Sequence, residues 1–168
     1  MGLGDRAQHR LYGRCKRRLF ASIEGRGGAP PVVVEVGAGT GLNARYLPEG
    51  TQWIVVEPNV HFHDAIREKA AAHGLALDLR AGTAEALPLV DGVADAVVST
   101  LVLCSVADVR QSLAEARRGA CCVKVAGSCS SNTSRRLQGR RCDGSNGSSV
   151  GRGAGSPTAA GRTRRRSR

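Results

Sequence analysis

The residues best suited to holding a small polar molecule begin with Glu35-Val-Gly-Ala-Gly-Thr-Gly41. Gly37, Gly39 and Gly41 carry no Cβ, so the backbone there can turn tightly and lie close against a ligand. Glu57 follows about 20 residues after the first of these glycines, where an acid can accept from the two hydroxyls of a ribose. Thr83, Ala84 and Glu85 in the stretch 82–88, and Thr100 and Leu101 at the end of an apolar run, are the remaining candidates. A dinucleotide fingerprint wants its third glycine one position later, at Leu42, which disfavours a pyrophosphate site and with it a nicotinamide-dependent oxidoreductase. No metal site is signalled, because His61 and His63 are two apart and would face different sides of a helix. The six cysteines include no C-x-x-C, which reads as reduced thiols.

Four strands must position these residues. Val32, Val33 and Val34 are β-branched and continuous, as in a strand covered on both faces, and the run stops at Gly37, after which residues 42–47 can open a helix. Residues 52–56 form a second strand that delivers Glu57. Residues 60–73 then read as a helix with Phe62, Ala65, Ile66 and Ala70 inward, ended by His73-Gly74, with Asn59 able to cap its start. Residues 75–79 and 94–102 read as the third and fourth strands, and residues 107–118 as a helix with Val109, Leu113 and Ala116 facing in. In a doubly wound sheet the carboxyl ends of all four strands meet at one crevice. The loop 82–88 and residues 100–105 therefore come out beside the glycine turn and Glu57.

Before the first strand, residues 5–25 read as a basic amphipathic helix with an apolar stripe of Leu11, Cys15, Leu19 and Ile23, and with Arg14, Lys16, Arg17 and Arg18 on a solvated face. Such a face could also rest on an anionic membrane surface, as peripheral contact. No apolar run near the start approaches the roughly 20 residues that span a bilayer, and no secretion-signal core is visible. The expectation is an intracellular, cytoplasmic protein.

The net charge of +11 would point to nucleic acid if it covered the fold. Instead residues 1–118 hold 14 Lys/Arg against 13 Asp/Glu, whereas residues 119–168 hold 11 against the single Asp143. Residues 119–126 could supply one further strand. From Gly127 the chain is Gly, Ser and Arg with few apolar residues, which predicts disorder. Its closing run Arg162-Thr-Arg-Arg-Arg-Ser-Arg168 could contact phosphates, but no aromatic residue follows residue 118 to stack on bases, so nucleic-acid binding would be non-specific.

Glu35-Val-Gly-Ala-Gly-Thr-Gly41, Glu57-Pro-Asn59, Gly82-Thr-Ala-Glu-Ala-Leu-Pro88, Asp95-Ala-Val-Val-Ser-Thr100 and Leu101-Val-Leu-Cys-Ser-Val106 stand in the order found in one family. Residues 12–118 resemble the type 11 family of class I S-adenosylmethionine-dependent methyltransferases, within it the methyltransferase-like proteins that methylate alkyl thiols. The resemblance implies an α/β, Rossmann-like doubly wound sheet of about four to five mostly parallel strands, an incomplete version of the family fold. It also implies S-adenosylmethionine as cofactor, with Gly37, Gly39 and Gly41 around its methionine part and Glu35 beneath the turn. By the same resemblance Glu57 meets the ribose, Thr83, Ala84 and Glu85 flank the adenine, and Thr100 and Leu101 lie near the methionine end. The implied acceptor is a small molecule, a thiol in the subgroup. No catalytic base is identified: Asp95 falls within a strand, and Cys104 reads as a small buried hydrophobe rather than a nucleophile.

The organisation expected is a basic helix and linker over 1–30, a partial cofactor-binding domain over 31–118, and a basic tail over 119–168. The abrupt change after Arg118 reads as a shifted frame or alternative splice of a longer methyltransferase gene. The rival to an enzyme is therefore an inactive form that at most binds cofactor, or whose tail touches nucleic acid.

Overall fold

The computed structural model describes residues 3–120, 123–126 and 136–137. Its centre is one sheet in the order β3-β2-β1-β4-β5-β6, with β1 Val32–Val36, β2 Gln52–Val56, β3 Ala76–Arg80, β4 Ala96–Thr100, β5 Val123–Ala126 and β6 Arg136–Leu137. The pairs from β3 across to β5 are all parallel. Only the two-residue β6 is antiparallel, set against β5. Five parallel strands agree with the expected doubly wound sheet, and β6 is a pairing that the glycine- and arginine-rich sequence does not advertise. Most of the residues expected to be disordered, and the closing arginine run, lie outside the described residues.

β1 is central because both its faces are covered. Val33, Trp53, Val55, Ala96 and Val98 form one face, packed with Phe20 from helix α1 (Leu3–Ala21), Ile23 just beyond it, and Ile66 and Ala70 from α2 (His63–Ala72). Val34, Val36, Ile54, Val56 and Val97 form the other, against Ala116 of α3 (Val109–Gly119) and the loop residues Leu87 and Leu89. Alternate residues of one strand thus serve two cores, which is why the strands read as continuous apolar runs.

Four local expectations are corrected. The segment after the glycine turn is a single 3-10 turn, Ala44–Tyr46, rather than a helix. Pro48 is the cause: it drives Leu47 to an extended backbone (ψ 142°) after only one turn. Of the stripe expected for α1, Leu19 and Ile23 (just beyond the helix) pack inward, but Leu11 is 71% exposed and Lys16 and Phe20 are buried in addition. On α3 the buried positions are Ser112, Ala116 and Gly119, and Val109 faces solvent. Cys15 is disulfide-bonded rather than reduced, which the lack of a C-x-x-C does not exclude. No helix among the described residues is long and apolar enough to cross a membrane.

The helix ends are chemically defined. Asp108 caps α3, its Oδ1 accepting from the amides of Arg110 at 2.8 Å and Gln111 at 3.0 Å. Asp108→Ala is expected to lower stability by about 1 kcal/mol, read as a lower thermal midpoint. Asn59 caps the short turn Val60–Phe62 that leads into α2, accepting from the His61 amide. Arg118 closes α3 onto the preceding loop through Asp91, Glu115 and the carbonyls of Leu87 and Leu89.

Candidate functional site

The sheet changes direction between β1 and β4, and a crevice opens at the carboxyl ends of those strands. There lies a cavity of about 870 Å³ whose walls include Gly37, Gly39, Glu57, Thr83, Ala84, Glu85 and Leu101. Seven of the ten candidate residues therefore come together as expected. Glu35, Gly41 and Thr100 do not line it, and each has a different place.

Gly37 and Gly39 form the cradle. Both adopt a positive φ, +67° and +54°. A Cβ on Gly37 would stand 2.6 Å from Cγ2 of Val102, so this glycine lets the chain after β4 close onto the turn. A Cβ on Gly39 would meet nothing within 4 Å, because this residue faces the open cavity. Gly41 is instead a packing position: its Cβ would press on the Ile66 backbone at 3.3 Å and on Trp53 at 3.4 Å.

Glu57 ties the cradle to the end of β2. Its Oε2 accepts from the Gly39 amide at 2.8 Å and its Oε1 from the Asn59 amide at 3.0 Å. Two carboxylate oxygens offer about four acceptor sites, so those left over can meet hydroxyls on a ligand in the cavity. Glu85 has a comparable double role. Its Oε1 accepts from the Ala107 amide at 2.7 Å, pinning the segment before α3, while the residue also lines the cavity. Its carboxyl is held below the ordinary range by its own backbone amide and by that of Ala107. Val102, within the segment expected here, and Phe62, which sequence reasoning did not place here, supply apolar wall. Leu101 departs from β4 with φ +62°, a left-handed conformation costly for a leucine, and strain of this kind concentrates at ligand sites.

Beneath the turn lies a buried polar network. Glu35 is 1% exposed; its Oε1 accepts from Asn43 Nδ2 at 2.6 Å and its Oε2 from Trp53 Nε1 at 3.1 Å. The same Asn43 nitrogen donates to Thr100 Oγ1 at 2.9 Å, linking the exit of the glycine turn to the end of β4. Asn43 is the site residue that sequence reasoning missed, because its segment read as helix. Asn43 Oδ1 and Ser99 Oγ are buried without a partner at this end of the crevice.

Burial pushes the Glu35 carboxyl up to about 7 from 4.5, against the lowering effect of its bonds to Asn43 and Trp53 and of the charge on Lys16; Glu57 raises it further. The folded state thus holds this proton more tightly than the unfolded chain. Its contribution to stability is full below about 4.5 and is lost as the pH rises through about 7. Melting of the parent should therefore fall between about pH 5 and about pH 8 more steeply than that of Glu35→Gln, which has no proton to lose.

Asp95 is structural: it accepts from the Val32 amide at 2.8 Å and pairs with Arg26 at 2.8 Å. Cys104 is exposed, contrary to expectation, on the loop after β4, with its thiol directed to the Leu101 carbonyl at 3.5 Å. The residues present fit a nucleoside joined to an amino acid. A glycine cradle faces open space, a carboxylate stands at the end of β2, and unpartnered polar atoms remain near the ends of β1 and β4.

Comparison with known proteins agrees with this geometry. The profile of a family described as a methyltransferase domain matches residues 34–121. Human thiol S-methyltransferase TMT1B is 39% identical over 108 residues, covering 61% of this chain and 44% of that protein. Human thiol S-methyltransferase TMT1A is 33% identical over 109 residues with the same coverage. The chain thus spans less than half the length of these curated relatives. Among solved structures, a SAM-dependent methyltransferase from Thermotoga maritima superposes with a TM-score of 0.52 at 26% identity, over 71% of this chain and 53% of that one.

Proposed function

The chain belongs to the methyltransferase-domain family, matched over residues 34–121, and from that premise we propose that it binds S-adenosylmethionine in the crevice between β1 and β4 and transfers a methyl group to a small apolar thiol. The observation that carries the cofactor half is the bond from the Gly39 amide to Glu57, which holds a ribose-type acceptor beside an open glycine cradle. Gly37 and Gly39 would take the methionine part, Glu57 the ribose, and Thr83, Ala84 and Glu85 the adenine side. Leu101 would stand at the methionine end, and Asn43 and Thr100 would hold the turn from below. We propose the same division of the chain as the sequence suggests, with 31–118 as the cofactor-binding part.

The cofactor, when bound, supplies an already activated sulfonium methyl, so the protein's task is chiefly orientation and exclusion of water. The cradle fixes one end of the molecule and Glu57 the middle. Phe62, Val102 and Val106 give the cavity an apolar wall suited to an uncharged organic acceptor. The thiol assignment is supported by the likeness to the two thiol S-methyltransferases. Incubation of the intact chain with labelled S-adenosylmethionine and a short alkyl thiol should yield the labelled methyl thioether. Label transfer to amines but not thiols would overturn the acceptor class, and no transfer to any acceptor would favour a cofactor-binding form without activity.

A further inference from the structure

The stretch 101–107, between β4 and α3, supplies one wall of the cavity through Leu101, Val102, Ser105, Val106 and Ala107. The hydrogen bonds inside it are local: the Ser105 amide donates to the Val102 carbonyl at 2.8 Å, and the Cys104 thiol to the Leu101 carbonyl at 3.5 Å. Its far end is fastened from across the crevice. One oxygen of Glu85, Oε1, accepts from the amides of Ala107 at 2.7 Å and Asp108 at 3.4 Å. The loop that carries Glu85 does not depend on these bonds for its own placement. Gln111 Nε2 donates to the Glu85 carbonyl at 3.3 Å, Glu115 Oε2 accepts from the Leu87 amide at 3.0 Å, and Arg118 donates to the carbonyls of Leu87 and Leu89. Three side chains of α3 therefore hold the loop 82–88, which leaves the Glu85 carboxylate to serve the stretch opposite.

We propose that Glu85 is a positioning residue for the methyl acceptor: by clasping the amides of Ala107 and Asp108, it sets the stretch 101–107, whose Val102 and Val106 form the apolar wall. Bonds from backbone amides to a carboxylate are charge-assisted, roughly twice as strong as neutral ones, so one side chain can fix a short segment. Asp108 caps α3 through Arg110 and Gln111, so the start of that helix stays in place without Glu85 and only the residues before it come free. An oxygen committed to two amides is not spent on the nucleoside. Thr83 and Ala84 thus stay beside the adenine, while Glu85 acts on the facing wall. Because the clasp joins the two loops, a cofactor seated against 82–88 meets an acceptor wall already formed. The inference rests on the cofactor and acceptor reading above.

Cys104 is exposed in the same stretch, so its alkylation by N-ethylmaleimide, followed by peptide mass spectrometry, reports the order of 101–107 with no ligand present. In the intact chain, Glu85→Ala should raise the Cys104 rate by about fivefold or more, through more frequent local opening. Its affinity for S-adenosylhomocysteine should stay within about twofold of the parent, while KM for a short alkyl thiol rises about tenfold. Glu85→Gln keeps a carbonyl oxygen for Ala107 and should lie nearer the parent in both. Glu85→Asp keeps the charge but is one methylene too short for the clasp, and should follow the alanine variant. If Glu85→Ala does not melt cooperatively, Glu85→Asp decides, and a parental Cys104 rate in it overturns the proposal. Parental alkylation and KM in Glu85→Ala would overturn this proposal alone. So would a loss of cofactor affinity of about tenfold with KM for the thiol unchanged, which places the carboxylate on the adenine. A parent that binds no S-adenosylhomocysteine, or methylates no thiol, overturns the proposal together with the reading it rests on.

Discussion

Glu57→Ala is expected to weaken the binding of S-adenosylhomocysteine by about ten- to hundredfold, the equivalent of about 1.4–2.8 kcal/mol. Two losses add up. The Gly39 amide, bonded at 2.8 Å, loses its charged partner and with it the fixed shape of the cradle. The ribose hydroxyls lose their acceptor, and a hydrogen bond to a charged group is worth about 1.5–3 kcal/mol. Glu57→Gln keeps one carbonyl oxygen for Gly39 and should fall between parent and alanine variant. Titration calorimetry on the three proteins checks the order, and an alanine variant that binds as tightly as the parent would show that the ribose lies elsewhere.

The second large effect separates two glycines of one turn. Gly39→Ala introduces a Cβ that meets no protein atom, so the fold loses only the cost of a left-handed backbone, about 1–2 kcal/mol. The same methyl stands where the ligand would lie, and cofactor affinity should fall by about a hundredfold or more, since a misfit of this size removes close contact along the cradle. Gly37→Ala should do the reverse in emphasis. Its Cβ would come within 2.6 Å of Val102, and overpacking combined with a positive φ should cost about 2–4 kcal/mol of stability before any ligand is added. Thermal melts and cofactor titrations run side by side distinguish the cases. Equal melting temperatures for the two variants would contradict the assignment of one glycine to the ligand and the other to packing.

Much of this site can be read from the chain because the strands announce themselves. β1, β2 and β4 are β-branched runs buried on both faces, and each ends beside a residue that lines the cavity, at Gly37, Glu57 and Leu101. What the sequence hides is side-chain burial that contradicts residue type. Lys16 sits among arginines and reads as surface, yet the packing of Phe20 on Tyr46 turns its face inward. Leu19 and Ile23 pack inward as their spacing suggests, but Leu11, a turn or two earlier, is exposed, since a helix rich in basic residues offers few positions from which to fix its phase. Asn43 was hidden for another reason: the residues before Pro48 look helical, and only the folded turn shows a single side chain joining Glu35 to Thr100. Phe62 becomes cavity wall only when the turn leading into α2 is brought to the crevice.

Glu35→Gln should melt higher than the parent near pH 8, because burial holds the Glu35 carboxyl most favourably as the neutral acid.

The most direct test of the account is calorimetric titration of the intact chain with S-adenosylhomocysteine near pH 8, where Glu35 is mostly ionised. The account predicts saturable one-to-one binding in the crevice between β1 and β4. Absence of heat at every pH, in protein that melts cooperatively, would contradict it.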